Sequence, residues 1–387
     1  MWPQVFGASD LPIGVELHAG GVRLLQVRSG RGGSSVRAAA AATVDDKGRE
    51  CEDPALIDDL VGAVDKAMSM GRFAGRRVVV GLDGRGIRTR SVRQAKLNGP
   101  ELDRAVQLDA PSRLGFTEAE GCEIGWVRAG EVRQGDEIKD ELIYVGARLE
   151  PLERLLTGLR ACGLEPVAAE PSFAATARCY TRTLRRASDD AVTRVIVDVG
   201  EAAAEVMVTR GRAIAFYKQV ELGGRAMTRL CAERLGLDVA TVADLRRRRM
   251  ASEAGVIDPK VDRALYDAVR PLMSDLAQEV TLCLRYFSVT FRGARPDGVV
   301  VVGQEAGEPR LAQTLGEALH VPSSVGRPLD GYDLSRVVGG GFGALDAGGT
   351  LGAGSGALWG ACVGLSTRVR ELASPRETRV WKARAAA

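Results

Sequence analysis

Three short runs near the start of the chain read as strands: Ile13 to Leu17, Val22 to Val27 and Ser35 to Val44. Turn residues separate them, among them Ala19-Gly20-Gly21, and this is the pattern of an antiparallel meander. Asp53-Pro54 then opens a helix, because Pro suits the first helical position and an acid before it suits the cap. Leu56, Ile57, Leu60, Val64 and Met68 recur at helical spacing, and Gly71 ends the segment. Arg77 to Leu82 is nearly unbroken Val, as in a parallel strand buried on both faces. The order is three strands, a helix and a returning strand.

A unit inserted at about 89–148 breaks this order. It is predicted to hold a helix from Glu101 to about Asp109 and Pro111, and strands at Cys122 to Val127 and Glu141 to Ala147. The polar run from Ala129 to Asp140 between those strands reads as a mobile hairpin tip. Leu149 to Cys162 follows as an amphipathic helix with Leu152, Leu155, Leu156 and Leu159 on one face, ended by Gly163. A strand from Leu164 to Ala169, a linking helix from Phe173 to Leu184 and a polar hinge from Arg185 to Asp190 complete the first half.

The second half opens as the first does. Val195 to Gly224, VIVDVGEAAAEVMVTRGRAIAFYKQVELGG, is another strand–turn–strand–turn–strand pattern, so the chain repeats an architecture without repeating residues. Helices are predicted at Gly224 to Leu235, Pro259 to Phe291 and Pro309 to Leu319, and a buried strand at Val299 to Gly303. Within the long helix the apolar positions are Leu265, Val269, Leu272, Leu276, Val280, Leu282 and Leu284. Val338 to Gly356 reads as a Gly-rich loop, and Ala357 to Arg368 as a helix closing the second half with Trp359 and Val363 inward. Arg246 to Arg249 is a run of four arginines, read as a solvated helix end whose charge suits the helix dipole, against a lipid or nucleic-acid patch.

A length of 387 residues exceeds one typical core and implies two units. They are expected at 1–190, containing the insertion, and 191–370, with a basic, disordered tail at 371–387. A net charge of +3 and 5% aromatic residues argue against a nucleic-acid-binding surface. The seven cysteines are scattered with no C-x-x-C pair, which points to reduced buried thiols, not zinc or disulfides. Only His18 and His320 could supply imidazole to a metal. No apolar run approaches the ~18 residues of a membrane span, and no basic region followed by a long apolar one opens the chain. The expected location is cytoplasmic, with membrane contact indirect.

Candidate chemistry begins at Asp198, an acid ending a buried strand, with Gly200 two places on. A carboxylate there costs free energy unless it is paired, hydrogen-bonded or metal-bound. The glycine lets a backbone amide approach an anion. A capped hairpin turn is the plain structural reading. Glu16, however, ends the first strand in the same way, before a Gly-containing turn. Two such hairpins facing each other across a cleft can hold a phosphate chain and its Mg²⁺. The helix following Gly223-Gly224 adds a terminus suited to phosphate or ribose.

The segments GVELHAGGVR (Gly14 to Arg23), VDVGEAAA (Val197 to Ala204), Leu222-Gly223-Gly224 and Glu170-Pro171 with Ala174 occur in that family's motif pattern and spacing: from Ile13 to about Ser366 the chain resembles the PilM family, actin-like cytoplasmic proteins of type IV pilus assembly. More distantly it resembles FtsA and the actin, heat-shock ATPase and sugar-kinase superfamily. The resemblance implies an α/β, two-lobed actin-like (ribonuclease H-like repeat) fold with a small subdomain inserted in the first lobe. It implies nucleotide binding by Glu16, Ala19, Gly20, Gly21, Arg23, Asp198, Gly200, Gly223, Gly224, Gly303 and Gln304, with ATP and Mg²⁺ as cofactors and Asp198 toward the metal. Gln304 stands where the superfamily's adenosine turn has a second Gly. Glu170 is the candidate catalytic carboxylate, positioning water, with a helix-cap role equally open.

The same resemblance implies a scaffold at the inner-membrane face. It would bind the N-terminal cytoplasmic peptide of a PilN-like membrane protein beside the insertion, and would dock pilus motor components; self-association is a further expectation. The motifs also depart from the family. Glu16 replaces Asp, His18 stands where Gly is usual, hydroxyl residues are replaced by Ala19, Gly20, Gly21 and by Ala202 to Ala204, and Glu201 adds negative charge. Phosphoryl transfer depends on positioning and charge neutralisation. The expectation is therefore weak or absent nucleotide binding and little or no ATPase activity. Two alternatives stay open: an active small-molecule kinase of the sugar-kinase group, and an FtsA-like filament-forming protein.

Overall fold

The computed structural model describes residues 9–30, 32–251, 258–291, 295–335, 337, 355–368 and 378–379. β1 (Ser9–His18), β2 (Gly21–Gly30) and β3 (Gly33–Thr43) form the expected antiparallel meander, followed by α1 (Pro54–Met70) and β4 (Arg77–Leu82). Asp53 caps α1, accepting from the Ala55 and Leu56 amides at 2.9 and 3.0 Å. Leu56, Ile57, Leu60 and Val64 are buried in the core shared with β1, β2 and β4.

The inserted unit is a sheet with one covering helix. It contains β5 (Arg88–Ala95), α2 (Gly99–Arg113), β6 (Cys122–Gln134) and β7 (Glu137–Arg148). The expected hairpin tip is instead ladder almost throughout, with Glu131 opposite Asp140 and Gln134 opposite Glu137. Val132 is buried there, and one inward apolar residue with a mate strand is enough to extend a polar sequence into a hairpin. β5 has little apolar content. It exists because β7 offers it a partner along its length, while Arg88 and Arg90 donate to the Gly115 and Arg113 carbonyls at 2.7 and 2.9 Å. A separate small core of Leu102, Val106, Leu142, Tyr144 and Trp126 joins α2 to this sheet.

The chain then returns through α3 (Leu149–Ala161) to β8 (Glu165–Pro171), which pairs parallel to β4, and to α4 (Ser172–Thr181). The second sheet is β9 (Thr193–Val199), β10 (Ala204–Arg210) and β11 (Ala213–Val220), then β12 (Gly298–Val302) and β13 (Ser323–Val325). Its order is β11-β10-β9-β12-β13, and within the first sheet β3-β2-β1-β4-β8 is the same arrangement. The repeat read from the sequence is thus a repeat of sheets. Between β11 and β12 lie α5 (Gly224–Leu235), α6 (Val239–Ala251) and α7 (Pro259–Phe291); α8 (Leu311–Leu319) precedes β13. On α7 the expected apolar face is buried at Leu265, Val269, Leu276 and Val280, but Leu282 is exposed.

The C-terminal helix differs from its expected place. α9 (Gly360–Thr367), assigned from sequence to the second unit, packs on β1, β2 and α4 of the first. Trp359 and Val363 face inward as expected, into a core with Leu25, Val27 and Cys179. Likewise β14 (Tyr332–Asp333) pairs with β3 as the outer strand of the first sheet. Gly364 makes the fit, since a Cβ there would run into the Ala175 carbonyl on α4. The Gly-rich loop of 338–356 lies outside the described residues as far as 354. The tail lies outside them too, except Thr378–Arg379, which form a two-residue strand, β15, on β6.

Candidate functional site

The two sheets place their β1–β2 and β9–β10 turns face to face. Glu16 and Arg23 are cross-strand partners, and the guanidinium donates to the Glu16 carboxylate at 3.2 Å. A second nitrogen of Arg23 reaches Gln304 of the other half at 3.4 Å. Asp198, next to last in β9, accepts from Thr176 of α4 at 3.3 Å. Burial, reinforced by Glu16 and only partly offset by Arg23, pushes its carboxyl up to about 7. The Gly303 backbone, at φ +89°, passes so close that a Cβ would strike the Asp198 carboxylate. The sequence candidates Glu16, Gly20, Arg23, Asp198, Gly200, Gly303 and Gln304 therefore meet in one cleft.

The groups that would hold phosphate are engaged within the protein. The Gly20 amide donates to His18 Nδ1 at 3.2 Å, and burial followed by the nearby Arg23 and Arg85 charges holds that imidazole well below its ordinary pKa, as a neutral acceptor. The Gly200 amide donates to the Ala203 carbonyl, the Gly224 amide to Gly200 and the Arg225 amide to Glu201, at 3.0, 3.0 and 2.8 Å. The Glu201 carboxylate lies against Gly20, across the cleft mouth. It pairs with Arg225 at 2.9 Å, and Arg225 pairs with Asp46 of the first half at 2.7 Å. A carboxylate and a bridging ion pair thus occupy the space between the two turns. Ala19 is buried beside them, and the Gly21 backbone, at φ +138°, is pressed against the Ala42 carbonyl.

The nucleoside side of the cleft is similarly filled. Glu305, two residues past Gly303, lies against Gly224 at the start of α5. Arg246 donates to Glu305 and Glu308 at 2.5 and 2.8 Å, and Arg249 pairs with Glu308 and with Asp262, the latter at 2.7 Å. Arg246 and Arg249 are 2% and 5% exposed. This corrects the reading of Arg246–Arg249 as a solvated helix end: it holds only for Arg247 and Arg248, which point outward to Asp244. Internal ion pairs and hydrogen bonds thus engage the amides and carboxylates that the resemblance assigns to a Mg-nucleotide.

Glu170 is also placed otherwise than expected. It is fully buried and held by Arg178 in two bonds of 2.7 and 2.8 Å, with Arg368 at 3.6 Å. Burial alone would raise its pKa, but the Arg178 and Arg368 charges outweigh this and hold it low. Both oxygens are committed to this pair, so the geometry supports a structural role and not the positioning of water. Sequence reasoning missed Glu205. Tyr217 donates to it at 2.6 Å, the Asp83–Gly84 turn of the first half rests on it, and burial with the Asp198 charge pushes it up to about 8. Phe173 of α4 stacks on Tyr217 at 3.9 Å, tying this contact to the linking helix. Glu205, Thr176 and Arg246 carry no motif. Glu305 and Glu308 could have been suspected from their acids at i, i+3 after the adenosine-type turn.

A second concavity opens where the inserted unit meets the first core. Its walls are Leu56, Ile57 and Leu60 of α1, Leu152 and Leu155 of α3, Leu17 and Leu82 at the strand ends, and Ala147 at the end of β7. Asp83, Arg85, Glu52 and Arg148 rim it, the last two paired at 2.9 Å. It is open to solvent along its mouth, and its walls are mostly apolar. Asp83 and Arg85 also adjoin the cleft, so the two concavities share a wall.

No curated protein matches the sequence. A chain of a structure described as a PilM-PilN type IV pilus biogenesis complex superposes with a TM-score of 0.72 at 22% identity, covering 95% of this chain and 99% of that one. The ethanolamine utilization protein EutJ from Carboxydothermus hydrogenoformans superposes at 0.49 with 13% identity, covering 92% and 89%. MreB5 of Spiroplasma citri bound to ADP superposes at 0.48 with 10% identity, covering 93% and 97%. The 0.72 superposition, with the repeated sheet order, shows that this chain has the two-lobed α/β fold of that structure. A family model described as type IV pilus assembly protein PilM matches residues 14–340. The chain belongs to the PilM family of type IV pilus assembly proteins.

Proposed function

We propose that this protein is a scaffold of a type IV pilus or related secretion assembly platform, at the inner-membrane face, and that its groove holds the N-terminal cytoplasmic peptide of a PilN-like membrane protein. The carrying observation is the apolar groove between α1, α3 and the end of β7, rimmed by paired charges. The solved relative was described in a complex of PilM with PilN. Membrane contact runs through that partner; among the described residues no helix is long and apolar enough to cross a bilayer. The lobes are 1–190 and 191–370 by chain order, with β14 and α9 folded back on the first, and pilus motor components dock on the assembled scaffold.

The interlobe cleft, on this reading, binds ATP weakly or not at all. What supports it is the pairing of Glu201, Arg225 and Asp46 across the phosphate position and the buried Arg246–Glu305–Glu308 cluster beside Gly224. A kinase would need both regions cleared.

Calorimetry with the N-terminal cytoplasmic peptide of the PilN-like partner should give micromolar or tighter binding, about −8 kcal/mol. Pro151→Arg, which puts a charged chain at the groove mouth, should abolish it. If the folded variant binds equally well, the peptide sits elsewhere. Phosphate release from Mg-ATP, beside an Asp198→Ala control, tests the cleft. Turnover near ~1 s⁻¹ that the control abolishes would overturn the degenerate-site reading.

A further inference from the structure

One edge of β6 pairs with β7 along its length. On the other edge Thr378 and Arg379 run antiparallel to it, Thr378 opposite Val127 and Arg379 opposite Trp126. The sheet therefore reads β15-β6-β7-β5, with the C-terminal segment as its outer strand. An open strand edge is a row of unpaired N–H and C=O groups that recruits extended chains. With the segment in place Trp126 and Val127 are each 6% exposed, and backbone groups in such surroundings are paired by the segment. The sequence Thr378-Arg379-Val380-Trp381 is rich in β-branched and aromatic residues, which suit a strand. Four residues back along β6, Cys122 pairs with Arg148, and Glu123 pairs with Ala147 of the groove wall.

We infer that the outer edge of β6 is a strand-accepting surface whose occupant is this chain's own C-terminal segment, docked in cis. Docked, the segment closes the edge to extended segments of other chains, second copies included, and braces the strand pair that ends in the groove wall. This does not depend on what the groove binds.

The test is native-state hydrogen exchange on the full-length protein and on its Thr378→Pro/Arg379→Pro variant. Proline has no N–H, so the ladder is broken whichever residue donates. The outward amides of β6 around Trp126 should exchange at least tenfold faster in the variant, while the β5–β7 ladder, as internal control, stays protected. A synthetic peptide of residues 374–384 added to the variant should restore protection, and a scrambled peptide should not. Equal exchange in both proteins would overturn the inference. So would light scattering that finds wild type dimeric and the variant monomeric, because the segment would then be donated to a second copy.

Discussion

Replacing Glu205 with Gln tests whether the two halves meet over a protonated carboxyl. Glu205 sits under the Asp83–Gly84 turn, hydrogen-bonded to Tyr217 at 2.6 Å, and is held protonated up to about pH 8 against an ordinary value of 4.5. Ionising it in place therefore costs up to about 5 kcal/mol at about 1.4 kcal/mol per pH unit. Residual contact with water and shared titration with Asp198 reduce this to about 2–4 kcal/mol. The sign follows from proton counting. Below the unfolded pKa both states carry the proton and nothing changes. Between about pH 4.5 and 8 the unfolded chain has released a proton that the native protein keeps, so stability falls as pH rises, and it levels off above 8. Asp198, pushed up to about 7, adds to the same slope. Asp46 and Glu170, held low by their arginines, act with the opposite sign but only in acid, and His18, kept neutral by burial, opposes the slope below its ordinary 6.5 to the same extent in both proteins. Urea unfolding at pH 5 and pH 8 should show wild type losing stability across this window. Glu205→Gln keeps a partner for Tyr217 but cannot ionise, so its loss should be smaller by about 2 kcal/mol or more. Equal slopes in the two proteins would refute the buried neutral carboxyl.

Arg246→Met leaves Glu305 buried without its cation and Glu308 with Arg249 alone, and should destabilise by about 3–5 kcal/mol in denaturant titration, whereas Arg247→Ala in the same run should stay within about 0.5 kcal/mol. Gly364→Ala drives a methyl into the Ala175 carbonyl, so α9 must move off α4; thermal unfolding should register a loss of about 1–3 kcal/mol, and an unchanged midpoint would mean that the helices are not in backbone contact.

The elements legible in the sequence are those whose signal is local. The β1–β2–β3 and β9–β10–β11 meanders, the Asp53 cap of α1 and the Val-rich strands β4 and β12 follow from periods and caps that a few adjacent residues carry. The positions of Glu16, Asp198, Gly200 and Gly224 sufficed to bring two turns into one cleft, because Glu16 and Asp198 lie near the ends of β1 and β9, Gly200 follows β9 and Gly224 opens α5. What was not legible depended on partners far along the chain. Whether Arg246 lies in water or in the core is decided by Glu305 and Glu308, 59 and 62 residues away. β5 is a strand only because β7 completes its ladder, and α9 joins the first sheet because Gly14 and Gly364 leave it room to pack on β1 and α4. The groove is assembled from α1, α3 and the end of β7, and the filling of the cleft from Asp46, Glu201 and Arg225. Sequence period reports which face of an element is apolar. Which charges are neutralised, and which surfaces are left open, depends on distances that only the folded chain sets.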